Sequence, residues 1–269
     1  MHIVVCIKMV PDTTLVQIDP VTNTLVREGV PFITNPFDTH ALEQALRIKD
    51  QYGGSITVLS MGPPHAEKVL RRALSVGADE AILLSDRAFG GADTLATSNV
   101  LASAIAKIGE KQPVDLVFCG IQTIDGDTAQ VGPGIACRLK LSQLTLVDRI
   151  LEINEDKGTI QARRKLEDHY EVVEAKIPAL LTVLREMNVP RYPTVPGRLQ
   201  AEEALLPVWS NDFLKLDPAT IGLNGSPTHV RRIFAPEREK GEIVNALDGG
   251  GNEAVALMVE KLQEWDFLS

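Results

Sequence analysis

Residues 1–140 alternate between short apolar runs and longer segments whose apolar residues recur with the period of an α-helix. Runs that are apolar throughout are typical of strands buried on both faces of a parallel sheet. The helical segments between them end at glycines or begin at prolines and acidic residues. This alternation predicts an α/β fold: a doubly wound, mostly parallel, Rossmann-like sheet with right-handed crossovers. The predicted strands are His2–Lys8, Ser55–Ser60, Glu80–Leu84 and Val114–Cys119, and the predicted helices are Asp38–Gln51, Pro63–Gly77, Asp93–Ile108 and Asp127–Leu139.

The pattern changes after Leu141, where shorter alternating segments are separated by polar turns. Alternation of this kind predicts an antiparallel extension of the sheet. We therefore predict one α/β domain over residues 1–200 and a C-terminal extension or arm over residues 201–269. The segments predicted here are strands at Thr145–Ile153, Gly158–Lys165, Tyr170–Ala175, Ile177–Leu184 and Thr228–Phe234, a loop at Asn188–Gly197, and a helix at Asn252–Trp265.

Composition excludes several classes of function. A formal net charge of −9 argues against nucleic-acid binding, which needs a basic surface. The cysteines and histidines lack the spacing of metal ligands or of a disulfide framework, so no metal site is expected. No stretch is apolar enough to span a membrane, and Met1–Val10 reads as a first strand rather than a signal peptide, so we expect a cytoplasmic protein.

The strongest local signal is Gly120–Gly134, which follows a buried strand and precedes a helix. In open α/β sheets this junction is where ligands bind. Gly120 permits close backbone approach, and Asp125-Gly126 predicts a tight turn. We expect Asp127 to cap a helix that begins at Thr128, leaving the N–H groups of Thr128, Ala129, Gln130 and Val131 to hold a phosphate. The alternative is an ordinary capped helix start.

The loops after the other parallel strands should converge on the same crevice. Phe89–Thr94 is glycine-rich and opens a helix, so Ala92, Asp93 and Thr94 form a second candidate anion site, or simply a flexible loop. Neither GxxxxGK[ST] nor a GxGxxG after the first strand is present, which disfavours P-loop hydrolysis and the usual NAD fingerprint.

Several motifs occur in one order along residues 1–235, and together they resemble the β subunit of electron-transfer flavoproteins. The motifs are the first strand ending in Lys8, Asn35-Pro36-Phe37-Asp38, Met61-Gly62-Pro63, Ala78-Asp79, Asp125-Gly126-Asp127-Thr128-Ala129-Gln130 and Pro190-Arg191-Tyr192-Pro193-Thr194.

The resemblance implies a nucleotide in the crevice. It places Cys6 and Met61 at the adenine, Asn35 and Asp38 at the edge of the site, and Gly120, Gln122, Asp125 and Thr128–Val131 around the ribose and phosphate. In one branch of the family the nucleotide is a structural AMP; in another it is FAD, which receives electrons from NADH and divides them between two acceptors. The small Asp125–Thr128 turn and the Gly90–Thr94 loop resemble the FAD-binding, electron-bifurcating branch.

The resemblance also implies two protein partners. The chain would work beside a flavin-carrying α subunit, on which the C-terminal extension would pack. The proline-rich loop would dock a flavin-containing dehydrogenase through Arg191, Tyr192, Pro193, Thr194, Val195 and Pro196, with Val195 where the family often has leucine. No residue of the chain can itself accept a hydride, so we predict no catalytic residue and assign the redox chemistry to the cofactor, with NAD as a substrate. A simple AMP-containing subunit and a stand-alone adenine-nucleotide-binding signalling module remain the alternatives.

Overall fold

The computed structural model describes residues 1–12, 17–18, 25–26, 31–230 and 251–268. The chain divides into two compact units, Met1–Arg231 and Arg232–Ser269. In the second unit the described structure is one helix, Gly251–Glu264, which confirms the helix predicted at Asn252–Trp265. The predicted division at residue 200, with an extension packed on a partner, stays a prediction.

The first unit is built on a nine-stranded sheet flanked by helices on both faces. Its order is β11-β10-β9-β12-β8-β1-β6-β7-β13. The strands are β1 (His2–Cys6), β6 (Ser55–Met61), β7 (Glu80–Leu84), β8 (Leu116–Gly120), β9 (Ser142–Asn154), β10 (Thr159–Lys165), β11 (Tyr170–Lys176), β12 (Ala179–Val183) and β13 (Val208–Trp209). Two short ribbons lie outside the sheet: β2 (Met9–Pro11) with β5 (Phe32–Thr34), and β3 (Gln17–Ile18) with β4 (Leu25–Val26).

The strand pairings confirm the predicted fold class. Strands β12, β8, β1, β6, β7 and β13 are mutually parallel, and β9 runs parallel to β12. Strands β9, β10 and β11 pair antiparallel, as the alternation after Leu141 predicted. The structure is therefore a doubly wound parallel sheet with an antiparallel extension at one side.

The helices lie between the parallel strands in sequence and cover both faces of the sheet. They are α1 (Pro36–Tyr52), α2 (Glu67–Ser75), α3 (Thr94–Gly109), α4 (Val131–Leu139), α5 (Val195–Glu203) and α6 (Asn211–Leu214), with α7 (Gly251–Glu264) in the second unit. Helix α3 begins as predicted, because the carboxylate of Asp93 accepts hydrogen bonds from the N–H groups of Leu95 and Ala96. Among the described residues, no helix combines the length and hydropathy that a membrane span requires.

Three predictions of local structure were wrong or lie partly outside the described residues. The helix predicted from Asp127 begins only at Val131, because Asp127 and Ala129 have φ of 48° and 54°, outside the helical region. The loop predicted to reach Gly197 ends at Thr194, whose hydroxyl accepts from the N–H of Gly197 and so caps α5. Thr228–Val230 form no strand, and the rest of Thr228–Phe234 lies outside the described residues.

The core has one layer on each face of the sheet. Alternate residues of the buried strands face opposite ways, so Ile3 and Val5 join the layer under α1 and α2 while Val4 joins the layer under α3 and α4. Among the described residues, Phe118 is the largest fully buried side chain. The continuous apolar runs that predicted the strands are therefore explained by burial on both sides.

Helix α4 lies unusually close to the sheet because it carries glycine at the contact. A Cβ atom at Gly132 would lie 2.5 Å from Cγ2 of Thr182 on β12. Such a separation is below any ordinary contact between carbon atoms, so an added methyl group must displace the helix or the strand.

We predict that Gly132→Ala lowers the free energy of unfolding by about 1–3 kcal/mol, the usual cost of an overfilled core. Gly109→Ala is a matched control in α3, since the nearest atom to its added Cβ is 4.0 Å away. Urea unfolding of both variants measures the difference. Equal stability of the two variants would contradict the close approach of α4.

Candidate functional site

The predicted cofactor residues lie on adjacent strand ends. Strand β1 lies between β6 and β8. Cys6, Met61 and Gly120 are the last residues of these three parallel strands, so they lie side by side at the edge formed by the strands' carboxyl ends. The loops that follow these strands must share the space beyond that edge. The structure therefore brings together the residues that the sequence analysis assigned to one crevice.

Asp38, in the first turn of α1, ties two strand ends to that helix. Its carboxylate accepts from the backbone N–H of Lys8 at 2.7 Å and from the backbone N–H of Gly120 at 3.1 Å. A Cβ at Gly120 would lie 2.4 Å from Oδ1 of Asp38, so this position requires glycine. Burial raises the pKa of Asp38 to about 7, although hydrogen bonds from Asn35, Lys8 and Gly120 and the charge of Lys8 lower it.

The side chain of Asn35 fixes the loop after β8 through two hydrogen bonds. It is fully buried, donates to the carbonyl of Gln122 at 2.8 Å and accepts from the N–H of Ile124 at 3.2 Å. Asn35 and Asp38 therefore act as supports for the crevice, and neither side chain is free to contact a ligand through these atoms.

A salt bridge not anticipated from the sequence crosses the crevice. Nζ of Lys8 lies 2.7 Å from Oδ2 of Asp125. Burial by itself would raise the pKa of Asp125. The hydrogen bonds from Lys8 and Thr123 outweigh burial and hold this pKa below its ordinary value. The bridge fixes the turn at Asp125 to the end of β1, which is separated from it by more than a hundred residues in the chain.

Asp127 does not cap a helix, contrary to the sequence prediction. Its carboxylate accepts from Nε2 of Gln122 at 2.8 Å, and its backbone φ is 48°. Gly126 is not in the left-handed region, and a Cβ there would meet only Oγ1 of Thr123 at 3.6 Å. In this loop the positive φ angles are found at Asp127 and Ala129.

This backbone leaves a run of N–H groups without protein partners. Ala129 is left-handed and the next residue, Gln130, is right-handed, an alternation of the kind that forms an anion-binding nest. The N-terminus of α4 follows at once and adds the positive end of the helix dipole. In this loop and the first turn of α4, the N–H groups of five consecutive residues have no hydrogen-bond acceptor among the described residues: Thr128, Ala129, Gln130, Val131 and Gly132.

The glycine-rich loop before α3 is arranged differently. Asp93 accepts from Leu95 and Ala96 with one oxygen and from the N–H and hydroxyl of Thr228 with the other. The N–H groups of Leu95 and Ala96 are therefore not available to a phosphate. Of the second anion site expected at Ala92, Asp93 and Thr94, the N–H of Asp93 donates to the hydroxyl of Ser226, while those of Ala92 and Thr94 have no acceptor among the described residues. Thr94 donates to the side chain of Gln130 at 2.8 Å and so joins the two loops.

Two buried thiols lie at the base of the crevice. Cys6 and Cys119 are register partners on β1 and β8, and both are free. Hydrogen bonding to Cys6 and burial raise the pKa of the Cys119 thiol well above its ordinary value. The Cys119 thiol therefore stays protonated, and both cysteines pack as small buried residues. Across the described parts of the chain, no three His, Cys, Asp or Glu side chains are grouped as metal ligands would be.

The predicted partner loop divides into anchored and exposed residues. Arg191 donates from its backbone and from Nε to Glu43 of α1, and its Nη2 bonds Asp50 at 2.7 Å. Tyr192 and Val195 are 87% and 73% exposed. Thr194 caps α5, and Val195 and Pro196 form the first turn of that helix. Arg191 therefore holds the loop on the fold, while Tyr192 and Val195 are presented to solvent.

We predict that the raised pKa of Asp38 appears as a pH dependence of stability. Between 3.8, its ordinary value, and about 7, the folded chain holds this proton more tightly than the unfolded chain does. The stability that this group contributes is thus complete below the lower value and is lost as pH rises through the upper one. The difference in unfolding free energy between wild type and Asp38→Asn should fall across that interval and stay level above it. A difference that rises with pH would contradict the assignment.

The sequence profile of the electron transfer flavoprotein domain matches residues 22–213. The chain is 51% identical over its whole length to the electron transfer flavoprotein subunit beta of Clostridium acetobutylicum, all of which is covered. It is 50% identical over 98% of its length to the caffeyl-CoA reductase-Etf complex subunit CarD of Acetobacterium woodii, and 48% identical over 97% of its length to the protein FixA of Azotobacter vinelandii. These matches cover 98% and 94% of the two relatives.

The profile covers the antiparallel extension and the parallel strands other than β1, and the alignments with these three relatives cover 97–100% of the chain. The similarity therefore includes the crevice, the loop after β8 and the partner loop. The chain belongs to the electron transfer flavoprotein family and is a β subunit of the type that includes FixA and CarD.

Proposed function

We propose that this chain is the nucleotide-binding subunit of a heterodimeric electron transfer flavoprotein. It binds FAD in the crevice at the carboxyl ends of β1, β6 and β8 and receives electrons from NADH there. In electron bifurcation each electron pair is divided between two acceptors: one electron passes through the FAD of an α subunit to a flavin-containing dehydrogenase, and the other goes to a second acceptor. The complex works in the cytoplasm.

One observation carries the proposal: the free N–H groups from Thr128 to Gly132. Backbone N–H groups without acceptors next to a helix N-terminus form a ready site for a phosphate. Their position is fixed from several directions, by Asn35 under the loop, by the Lys8–Asp125 bridge, and by Gln122 on Asp127. A site held in this way binds without having to order its donors first.

The chain's residues have distinct tasks in this proposal. The loop after β8 holds the phosphate, and the ends of β1 and β6 at Cys6 and Met61 flank the adenine. Asp38 keeps the ends of β1 and β8 at a fixed separation. The bound flavin supplies the chemistry that no side chain here can supply, accepting a hydride and releasing electrons one at a time.

The partners are inferred from the relatives and from exposed apolar surface. One relative is named as a subunit of a caffeyl-CoA reductase-Etf complex, which supports a CoA-ester reductase or dehydrogenase as the partner of this chain. Helix α7 exposes Val255, Met258 and Val259, which suits an α subunit as the surface that buries them. The profile match through residue 213 accounts for the antiparallel region, which a stand-alone signalling module leaves without explanation.

A second candidate, a structural AMP, is favoured by one observation. At the start of α3 the N–H groups of Leu95 and Ala96 donate to Asp93 and that of Asp93 donates to Ser226, so of the two loops the one with a continuous run of free N–H groups is Thr128–Gly132. One cluster is sufficient for a single phosphate. FAD would need its second phosphate to be held by side chains, by the α subunit, or by the same run of N–H groups.

We predict that the purified heterodimer contains two FAD molecules and no AMP. Acid extraction followed by chromatography and the visible spectrum measures both, and NADH should bleach flavin absorbance in the same preparation. One FAD together with one AMP would assign the chain to the simpler branch and contradict the proposed cofactor, while leaving the phosphate site intact.

We predict that Ala129→Val weakens nucleotide binding at least tenfold, about 1.4 kcal/mol. A β-branched residue is strongly disfavoured at the positive φ of this position. Gly126→Ala is the matched control on the same loop, because the added Cβ meets no atom closer than 3.6 Å and the position does not need positive φ. Titration of nucleotide-depleted heterodimers measures both. Full affinity in Ala129→Val would place the phosphate elsewhere.

A further inference from the structure

A basic cavity lies between α2 and α5, away from the crevice. It has a volume of about 630 Å³, and its lining includes the basic residues His65, Lys68, Arg71, Arg72 and Arg198 and the acidic residues Glu67 and Glu202. Four Lys and Arg side chains against two carboxylates give this surface a positive charge, in a chain whose formal net charge is −9. It shares Arg72 with a second cavity of about 360 Å³ under Pro190, Arg191 and Tyr192 of the partner loop.

The two helices that form this cavity are fixed against each other. Nη1 of Arg71 donates to the carbonyls of Ala201 and Glu202 at the end of α5, and its Nε bonds Glu67. A Cβ at Gly197 would lie 2.5 Å from the carbonyl oxygen of Ser75, which shows how closely α5 approaches the end of α2. The surface of α2 and α5 is therefore one rigid unit.

The guanidinium of Arg71 is bonded within the fold, whereas the other Lys and Arg side chains of the cavity are not. Within the described ranges, the side chains of Lys68, Arg72 and Arg198 have no ion-pair or hydrogen-bond partner, and all of them are exposed. Glu67 is paired with Arg71, so these three unpaired cations share the surface with the single carboxylate of Glu202. The excess positive charge is repulsive, and a carboxylate-bearing partner would relieve that repulsion.

Exposed apolar side chains border the same surface. Val195 and Leu199 on α5 are 73% and 64% exposed, and Leu205 just beyond it is 93% exposed. Apolar residues next to unpaired cations are typical of a protein interface, in which apolar contacts stabilise the complex and charges steer its approach.

We propose that Lys68, Arg72 and Arg198 form an electrostatic docking surface, continuous with Tyr192 and Val195, for an acidic patch on the partner dehydrogenase. This inference rests on the proposed function, since it takes the dehydrogenase as the occupant. It adds helix α2 to the docking surface and specifies the partner's chemistry: carboxylates that face α2, beside an apolar area that faces α5.

The test uses the complete heterodimer and cell extract of its own organism, treated with a zero-length carbodiimide that joins a lysine amine to a carboxylate in direct contact. Mass spectrometry should find Lys68 joined to Asp or Glu of a flavin-containing dehydrogenase. The yield should fall strongly in about 0.5 M salt, where charges are screened within a few ångströms.

Lys68 remains as the reporter in both variants. Arg72→Glu with Arg198→Glu should lower this cross-link at least tenfold, whereas the control Lys111→Glu with Lys157→Glu, which makes the same change of net charge at exposed positions elsewhere, should preserve it. An unchanged yield in the first variant would overturn the inference. A dehydrogenase that is cross-linked only through lysines other than Lys68 would also overturn the inference, but it would leave the proposed function intact. Absence of a dehydrogenase from every cross-link would overturn both.

Discussion

The carboxylate of Asp38 is the contact on which the geometry of the crevice depends. It joins the first turn of α1 to the ends of β1 and β8 through the N–H groups of Lys8 and Gly120. The same carboxylate is buried, so water is largely excluded and its desolvation must be offset by these bonds. Because Lys8 also bridges to Asp125, the position of the loop after β8 follows from the position of Asp38. Helix α1, which carries Asp38, therefore fixes the position of the free N–H groups of that loop.

Helix α1 connects the crevice and the partner loop in one rigid element. Its first turn carries Asp38, and its middle carries Glu43, which is buried and accepts from Arg191 and Arg47. Arg191, assigned by the resemblance to partner binding, is mainly an anchor for the loop. The residues that reach solvent are Tyr192 and Val195, one on the loop and one in the first turn of α5. The two functional surfaces are therefore built on a shared support, which constrains both positions without requiring either to move.

The sequence predicted the sheet well because burial on both faces leaves a direct record in apolar runs such as Val114–Cys119. The sequence-based prediction failed in the loop after β8, where side-chain hydrogen bonds and backbone angles cannot be inferred from residue type. Asp127 before Thr128 has the residue type of a helix cap, but its carboxylate is used by Gln122, and the left-handed conformation of Ala129 leaves no trace in composition. The start of α5 could have been found, since Thr194 followed by Pro196 is a cap with proline in the first turn. The Lys8–Asp125 bridge depends on folded geometry and has no local signal.

The central claim, that the N–H groups from Thr128 to Gly132 hold the nucleotide phosphate, is tested most directly by amide hydrogen exchange of the heterodimer with and without its nucleotide. The account predicts that these amides exchange rapidly when the nucleotide is removed and become protected when it is bound. It also predicts that the amides of Leu95 and Ala96, already bonded to Asp93, are protected in both states. Unchanged exchange from Thr128 to Gly132, with new protection elsewhere in the crevice, would contradict the account.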